Sequence, residues 1–402
     1  MTSSPAEKVP FNRATFLGQE IACVTDAAAQ PWISGGGKYT RLCEARFREM
    51  LGSPGAFLTP SCTAALEMAA LVLGIGPGDE VIVPSYTFVT SASAFVNFGA
   101  QAVFVDIDPA TMSIDPGVLE AAITPRTKAI VAVHYGGLIC DMSAILSIAD
   151  RHGVPVVEDA AQAIGATRDG RAAGSFGALA AFSFHETKNI TSGGEGGLLA
   201  VNDANLLERA RIVRDKGTNR AAFLEGLVDK YSWVDRGSSY LMNEISAAWL
   251  WAQLESLENV NARRSHLHAL YREAFADLAQ SGRVDLQEAP PDRVGNGHLF
   301  YLKVGSGEVR RVFMSFLADK GVHAPFHYVP LHSSPAGRFY GRFAGSDVHT
   351  TREAERLVRL PLFYNMTPRQ HAHVIATVKA FFIATTGEQD RDLGTVAIEG
   401  KR

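Results

Sequence analysis

The chain has 402 residues, 47% hydrophobic and 20% charged, with 38 lysines and arginines against 42 aspartates and glutamates for a net charge of −4. That balance belongs to folded globular chains, excludes extended disorder, and offers no strongly basic surface to nucleic acid or anionic lipid. Four cysteines (Cys23, Cys43, Cys62 and Cys140) are too scattered for a disulfide framework or a metal site, and no run of about 18 apolar residues spans a bilayer.

The opening stretch, MTSSPAEKVPFNR, lacks the apolar segment of a secretion signal, so a cytoplasmic protein is expected. Residues 1–20 read as an N-terminal arm. A helix follows over Thr63–Leu73, and Gly76-Pro77-Gly78 marks a turn. Short apolar runs then recur at Glu80–Pro84, Ala102–Val105, Ala129–His134, Val154–Val157, Leu179–Phe184 and Gly197–Val201, with a helix at Met142–His152. The runs are rich in Val, Ile and Phe and apolar almost continuously. Strands buried on both faces read this way, so the fold class is α/β, with a mainly parallel sheet covered by helices. Gly74-Ile75-Gly76-Pro77-Gly78 precedes its strand, the wrong side for a dinucleotide phosphate loop.

After Gly237 the texture changes. Met242–Leu257 and Ala262–Leu278 have helical period and lead to apolar runs at His298–Val304 and Val322–Tyr328 and helices at Glu308–Lys320 and Pro368–Ile383. Strands mixed with helices at this length suggest a smaller α+β layer. The expected division is a large α/β domain over 21–250, a small domain over 251–385 and a flexible tail over 386–402.

Ligands of open α/β sheets gather beyond the carboxyl ends of the strands. There the sequence places Glu158-Asp159-Ala160-Ala161-Gln162, His185-Glu186-Thr187-Lys188-Asn189, the loop Thr191–Gly197, and Ser85-Tyr86-Thr87-Phe88-Val89, with Thr59-Pro60-Ser61-Cys62-Thr63 ahead of a helix. Taken singly, Lys188 reads as a solvated loop residue, Asp159 as a helix cap and Phe88 as core. Together they are the parts of a pyridoxal phosphate (PLP) site. Lys188 supplies the Schiff-base amine and Asp159 an acid for the pyridine nitrogen. Ser61, Cys62 and Thr63 with Ser183 offer a helix start and hydroxyls for the phosphate, and Phe88 a platform for the ring.

The motifs PSYTFV, VHYGG, VEDAAQA, FSFHETKN and SGGEGG, in this order, resemble the nucleotide-sugar aminotransferases, a fold-type I PLP-dependent family, over about residues 10–382. TPSCTAALEMAAL, SFHETKN, KGTNR, GSSYLM, HYVPLH and RLPLFYN bring the chain closest to the dTDP-4-amino-4,6-dideoxygalactose transaminases within it. The resemblance implies a homodimer with active sites at the interface and L-glutamate as amino donor. It implies Lys188 as catalytic acid and base, Asp159 at the pyridine nitrogen and Gln162 at the ring hydroxyl. Phe88 would stack on the ring, and Cys62, Thr63 and Ser183 would hold the phosphate. Many members carry an Asn that reaches the partner's phosphate where this chain has Ser239, a shorter side chain.

The expected reaction moves the amino group of glutamate to C4 of a dTDP-4-keto-6-deoxyhexose. His327, Tyr328 and His332 would line the sugar or nucleotide end, or simply form a strand leaving the second domain. His185 would contact substrate or pack. Related dehydratases have histidine in place of the lysine, and Lys188 excludes that chemistry. A regulator that binds without turnover would have lost Lys188 or Asp159, and both are present. The face on which C4 receives the amine is not encoded in any motif.

Overall fold

The computed structural model describes residues 8–386. Residues 1–7 of the expected arm and 387–402 of the expected tail lie outside the described residues. The first half of the chain supplies β1 (Gly55–Thr59), β2 (Glu80–Pro84), β3 (Gln101–Val105), β4 (Thr127–Val133) and β5 (Val156–Asp159). The short β6 (Thr167–Arg168) and β7 (Arg171–Ala172) precede β8 (Leu179–Ser183) and β9 (Gly197–Val201). Beyond them come β10 (Asp285–Leu286), β11 (Arg293–Val294), β12 (Phe300–Lys303), β13 (Gly341–Phe343) and β14 (Leu357–Leu360).

Eight strands form one sheet in the order β1-β9-β8-β5-β4-β2-β3-β13. It is mainly parallel, and β9 alone runs against its neighbours β1 and β8. Alternation along these strands feeds two separate apolar layers, one on each face. Ile82, Val103 and Ile130 enter one layer, and Val81, Phe104 and Val131 enter the other. This explains runs that are apolar without a gap. The helix Cys62–Val72 starts at Ser61, whose Oγ accepts from the Ala64 N–H at 3.1 Å, an N-cap that fixes the first turn beside the end of β1.

A second sheet, β10-β12-β14, packs with the helices Leu257–Ala274, Gly307–Asp319 and Pro368–Thr386 around its own core of Phe300, Leu302, Phe313, Val358 and Phe382. Val9 belongs to that core and bridges Val322, so the start of the described chain is strapped to its C-terminal third. Gly341–Phe343 returns to the first sheet as its edge strand, parallel to β3. A Cβ at Gly341 would stand 2.5 Å from the Phe104 ring, which is why this three-residue strand begins on glycine.

Two expected elements differ. Val322–Tyr328 is no strand: only Val322 makes a β-bridge, and Pro325, without an N–H, interrupts any ladder. The segment runs as irregular chain and carries His327 and Tyr328 to the sheet's carboxyl edge. The helix expected over Ala262–Leu278 begins at Leu257 and divides at Phe275, where φ −106° and ψ 9° leave the helical region.

Candidate active site

The carboxyl ends of β5 and β8, the loop after β2 and the start of the helix Cys62–Val72 enclose a cavity of about 760 Å³. Ser61, Cys62, Thr63, Phe88, Asp159, Gln162, Ser183, His185, Lys188, His327 and Tyr328 line it. Eleven of the thirteen residues singled out from sequence, Ser61 included, therefore line one cavity.

Asp159 ends β5 and is buried. Its Oδ2 accepts from Ser91 Oγ at 2.6 Å and its Oδ1 from the Ala161 N–H at 3.2 Å, so the carboxylate is held in one orientation. Gln162 is clamped between two elements: Oε1 accepts from the Gly136 N–H at 2.7 Å and Nε2 donates to the Tyr328 hydroxyl at 3.0 Å. Burial in the cavity wall pushes the Lys188 ammonium below the ordinary lysine value, against the opposing pull of Cys62 and Asp159. A lowered value leaves more neutral amine at working pH.

At the cavity floor the N–H groups of Cys62 and Thr63, in the first turn, have no acceptor among the described residues. The Thr63 and Ser183 side chains line the same place. Unpaired N–H groups at a helix start with hydroxyls around them form an anion cradle. Gly197 keeps it open from beneath, since a Cβ there would stand 2.5 Å from the Cys62 nitrogen. Burial raises the Cys62 thiol well above its usual range, so it remains a neutral packing group.

Above the floor stands an aromatic wall. His327 stacks on Tyr328 with centroids 3.6 Å apart, and its Nδ1 meets the Tyr135 hydroxyl at 2.7 Å. Burial, and then the charges of Arg359 and Lys188, hold His327 well below its ordinary value, so the ring is neutral. Burial likewise raises the Tyr328 phenol. Phe88 is 53% exposed at the mouth, tilted 6.1 Å from Tyr328, an unusual position for a plain core phenylalanine. His185 is held locally by Thr187 at 2.9 Å and faces Glu195 at 3.6 Å.

Two expected residues lie elsewhere. His332 is not among the cavity's lining: its Nδ1 meets Ser85 Oγ at 2.7 Å, its Nε2 meets Asp347 at 3.2 Å, and its ring packs on Phe343. Both ring nitrogens are engaged, and the side chain braces the edge of the sheet. Ser239 is exposed, its backbone bridging Asp215, and does not line this chain's cavity.

Several cavity residues were not singled out. Arg359 and His298 line it from the C-terminal third, and Phe11 and Asn12 from the arm. Arg359 lay inside RLPLFYN and His298 opened an expected apolar run, but neither position has local chemistry that marks it. Ser91 was missed although it stands one helical turn after Thr87, and the two hydroxyls meet at 2.7 Å. Among the described residues no cluster of three or more His, Cys, Asp or Glu suits a metal ion.

A lysine, a buried carboxylate and a helix-start anion cradle beneath an aromatic wall, at the carboxyl edge of an α/β sheet, define a PLP-dependent aminotransferase of fold type I. Residues 17–379 match the DegT/DnrJ/EryC1/StrS aminotransferase family, and the chain belongs to it. The fold is shared with TlmJ, an aminotransferase from Streptoalloteichus hindustanus, at 32% identity and TM-score 0.85 over 94% of this chain and 100% of that one. It is shared with S. venezuelae DesV in complex with a ketimine intermediate, at 34% identity and TM-score 0.84 over 93% and 98%. Spr1654 from Streptococcus pneumoniae, in a PMP form, matches at 27% identity and TM-score 0.85 over 96% and 100%. The protein is a PLP-dependent sugar aminotransferase. Among the described residues no helix is long and apolar enough to cross a membrane.

Proposed function

We propose that the protein transfers the amino group of L-glutamate to C4 of a dTDP-4-keto-6-deoxyhexose, giving a dTDP-4-amino-4,6-dideoxyhexose and 2-oxoglutarate, as dTDP-4-amino-4,6-dideoxygalactose transaminases do. The observation that carries this reading is the convergence of Lys188, Asp159 and the Cys62–Thr63 cradle on one cavity. When bound, PLP supplies an electron sink for the carbon that loses its proton. Asp159, fixed by Ser91, would hold the proton on the pyridine nitrogen. Gln162 would face the ring hydroxyl, Phe88 the ring, and Thr63 and Ser183 with the Cys62 and Thr63 N–H groups the phosphate. Lys188 Nζ takes the proton that leaves the α carbon of glutamate and later delivers one to C4 of the acceptor sugar. His327 and Tyr328 would border the sugar, excluding water with their stacked rings, and His185 would meet substrate at the mouth.

The active unit we infer is a homodimer. Leu224, Leu227 and Trp233 are 69%, 72% and 79% exposed in the segment just before Ser239, more apolar surface than one helix turn leaves in water without a partner. A second copy seated there would bring Ser239 toward its phosphate site. The free thiols among the described residues suit a cytoplasmic enzyme.

Product analysis tests the assignment. Incubated with glutamate and dTDP-4-keto-6-deoxyglucose, the enzyme should form a sugar whose nitrogen is on C4 by NMR. Small coupling between the C3 and C4 protons marks the axial (galacto) amine and large coupling the equatorial (gluco) one. Nitrogen at C3, or no amino sugar, overturns the substrate assignment.

A further inference from the structure

The residue after Lys188 is held by three distant segments. Asn189 is buried, its carbonyl accepts from Thr15 Oγ1 at 3.4 Å, and its Nδ2 donates to the Asn296 carbonyl at 3.0 Å and to Asn261 Oδ1 at 2.8 Å. The Asn296 carbonyl fixes which way the amide is turned, so Asn189 Oδ1 faces His298, whose Nδ1 lies 2.9 Å away. An amide oxygen only accepts, and the hydrogen of that contact therefore sits on His298 Nδ1. The backbone of His298 is fixed as well, its N–H donating to Asn296 Oδ1 at 3.0 Å.

Burial, and then the charges of Lys188, Arg264 and Arg359, hold His298 well below the ordinary histidine range, so the ring is neutral. A neutral ring with its hydrogen on Nδ1 has a bare lone pair on Nε2. That atom has no hydrogen-bond partner among the described residues, although His298 is only 9% exposed and lines the cavity it shares with Lys188. A buried acceptor left unpaired is costly, and a donor that relieves it must come from inside the cavity.

We propose that His298 is a positioning residue for Lys188, its Nε2 accepting a hydrogen from Nζ whenever the amine is free of the cofactor. The inference rests on the function proposed above and specifies how that site steers its base. Asn189 joins the two, since it follows Lys188 directly in the chain and holds the ring through Oδ1. An amine that donates one hydrogen to Nε2 is held in one rotation, and its own lone pair stays free for the proton leaving the α carbon. Once Nζ has taken that proton it is an ammonium, and the same contact becomes a charge-assisted hydrogen bond, roughly twice as strong. The sugar half runs the same transfer in reverse, so the contact serves both halves.

Two substitutions separate this contact from the clamp behind it. His298→Asn puts an amide N–H where Nδ1 donates, which keeps the bond to Asn189 and leaves nothing at Nε2. His298→Gln puts an amide oxygen where Nε2 accepts and gives up the bond to Asn189. On the PLP-loaded enzyme the glutamate half is followed by loss of the visible band and the sugar half by its return. In His298→Asn the limiting rate of both halves should fall about tenfold or more, with KM for glutamate changed less than about threefold. His298→Gln should recover part of the rate. The acceptor favours the ammonium, so in His298→Asn the acid limb of the glutamate half should move to lower pH by about one unit. Cys62, Asp159, Glu195, His327 and Arg359, which stand around Lys188, are the same in both variants.

A fall with no shift of the limb would leave His298 structural, and a fall in the sugar half alone would assign Nε2 to a sugar hydroxyl. A rise in KM alone would assign it to glutamate, and each of these results overturns the proposal. Nitrogen NMR of histidine-labelled enzyme adds a readout that needs no turnover. One ring, missing from either variant, should carry its hydrogen on Nδ1 and stay neutral from about pH 6 to 8. A hydrogen on Nε2, or a second proton taken up in that range, overturns the proposal even where one variant fails to fold. Wild type inert to glutamate would instead overturn the proposed function, a result distinct from an unaffected variant.

Discussion

Ser91 Oγ donates to the buried carboxylate of Asp159 at 2.6 Å and is itself 2.7 Å from Thr87 Oγ1, so Thr87, Ser91 and Asp159 form one buried chain. A hydrogen bond to an ionised carboxylate is worth about 1.5–3 kcal/mol. Ser91→Ala should therefore weaken PLP binding about tenfold or more, and Ser91→Thr should retain most of it. Fluorescence titration of the cofactor checks this, and unchanged affinity in the alanine variant would remove Ser91 from any role at Asp159.

Gly197 packs its bare backbone against the first turn of the phosphate-side helix, where a Cβ would lie 2.4 Å from the Ser61 carbonyl carbon. Overpacking of this kind costs about 1–3 kcal/mol. Gly197→Ala should lower the melting temperature and also reduce phosphate-dependent affinity, because the Cys62 and Thr63 N–H groups must shift. The comparison is between PLP and pyridoxal: a loss shared equally by both would mean the cradle has not moved.

Behind the site, buried His134 meets Glu158 at 2.8 Å, and Glu158 also accepts from the N–H groups of Gly174, Phe176 and Gly177. Burial opposes the imidazolium, but Cys140 and Glu158 outweigh it and raise His134 to about 10. The folded value exceeds the unfolded value of about 6.5, so this stabilisation is complete below pH 6.5 and lost as pH rises through about 10. Denaturation of the wild type should show stability declining across that window, and His134→Gln should flatten the decline. Removing Glu158 leaves His134 and three N–H groups without their acceptor, and Glu158→Ala should cost about 3–5 kcal/mol.

On the proposed homodimer, Leu224→Asp with Leu227→Asp should halve the particle mass seen by light scattering and weaken PLP binding, because Ser239 would then lose the partner site proposed for it. A wild type of monomeric mass, or a variant of unchanged mass, would contradict the proposed dimer contact.

The strands of the parallel sheet were readable because burial on both faces leaves an unbroken apolar run: Glu80–Pro84 and Gly197–Val201 match to the residue. The place of Asp159, Lys188 and Phe88 on the cavity was readable for a related reason, since Asp159 ends β5 and Lys188 and Phe88 stand within five residues of the ends of β8 and β2. Residues contributed from far along the chain were not. Gly341–Phe343 is too short to show a period, and its place beside β3 is fixed by tertiary packing. Arg359 lies 171 positions from Lys188, and the cavity the two share exists only in three dimensions. Nor does the sequence show that Ser85 and Asp347 stand against both nitrogens of His332, contacts that depend on tertiary packing.

Lys188 is the residue on which the proposed chemistry turns, and a single-turnover experiment addresses it. With L-glutamate and no sugar, PLP-loaded wild type should lose its visible band and release one 2-oxoglutarate per bound cofactor. Lys188→Ala, still binding PLP in the Cys62–Thr63 cradle, should form 2-oxoglutarate at least about 10²-fold more slowly. A Lys188→Ala enzyme that releases 2-oxoglutarate at the wild-type rate would contradict the assignment.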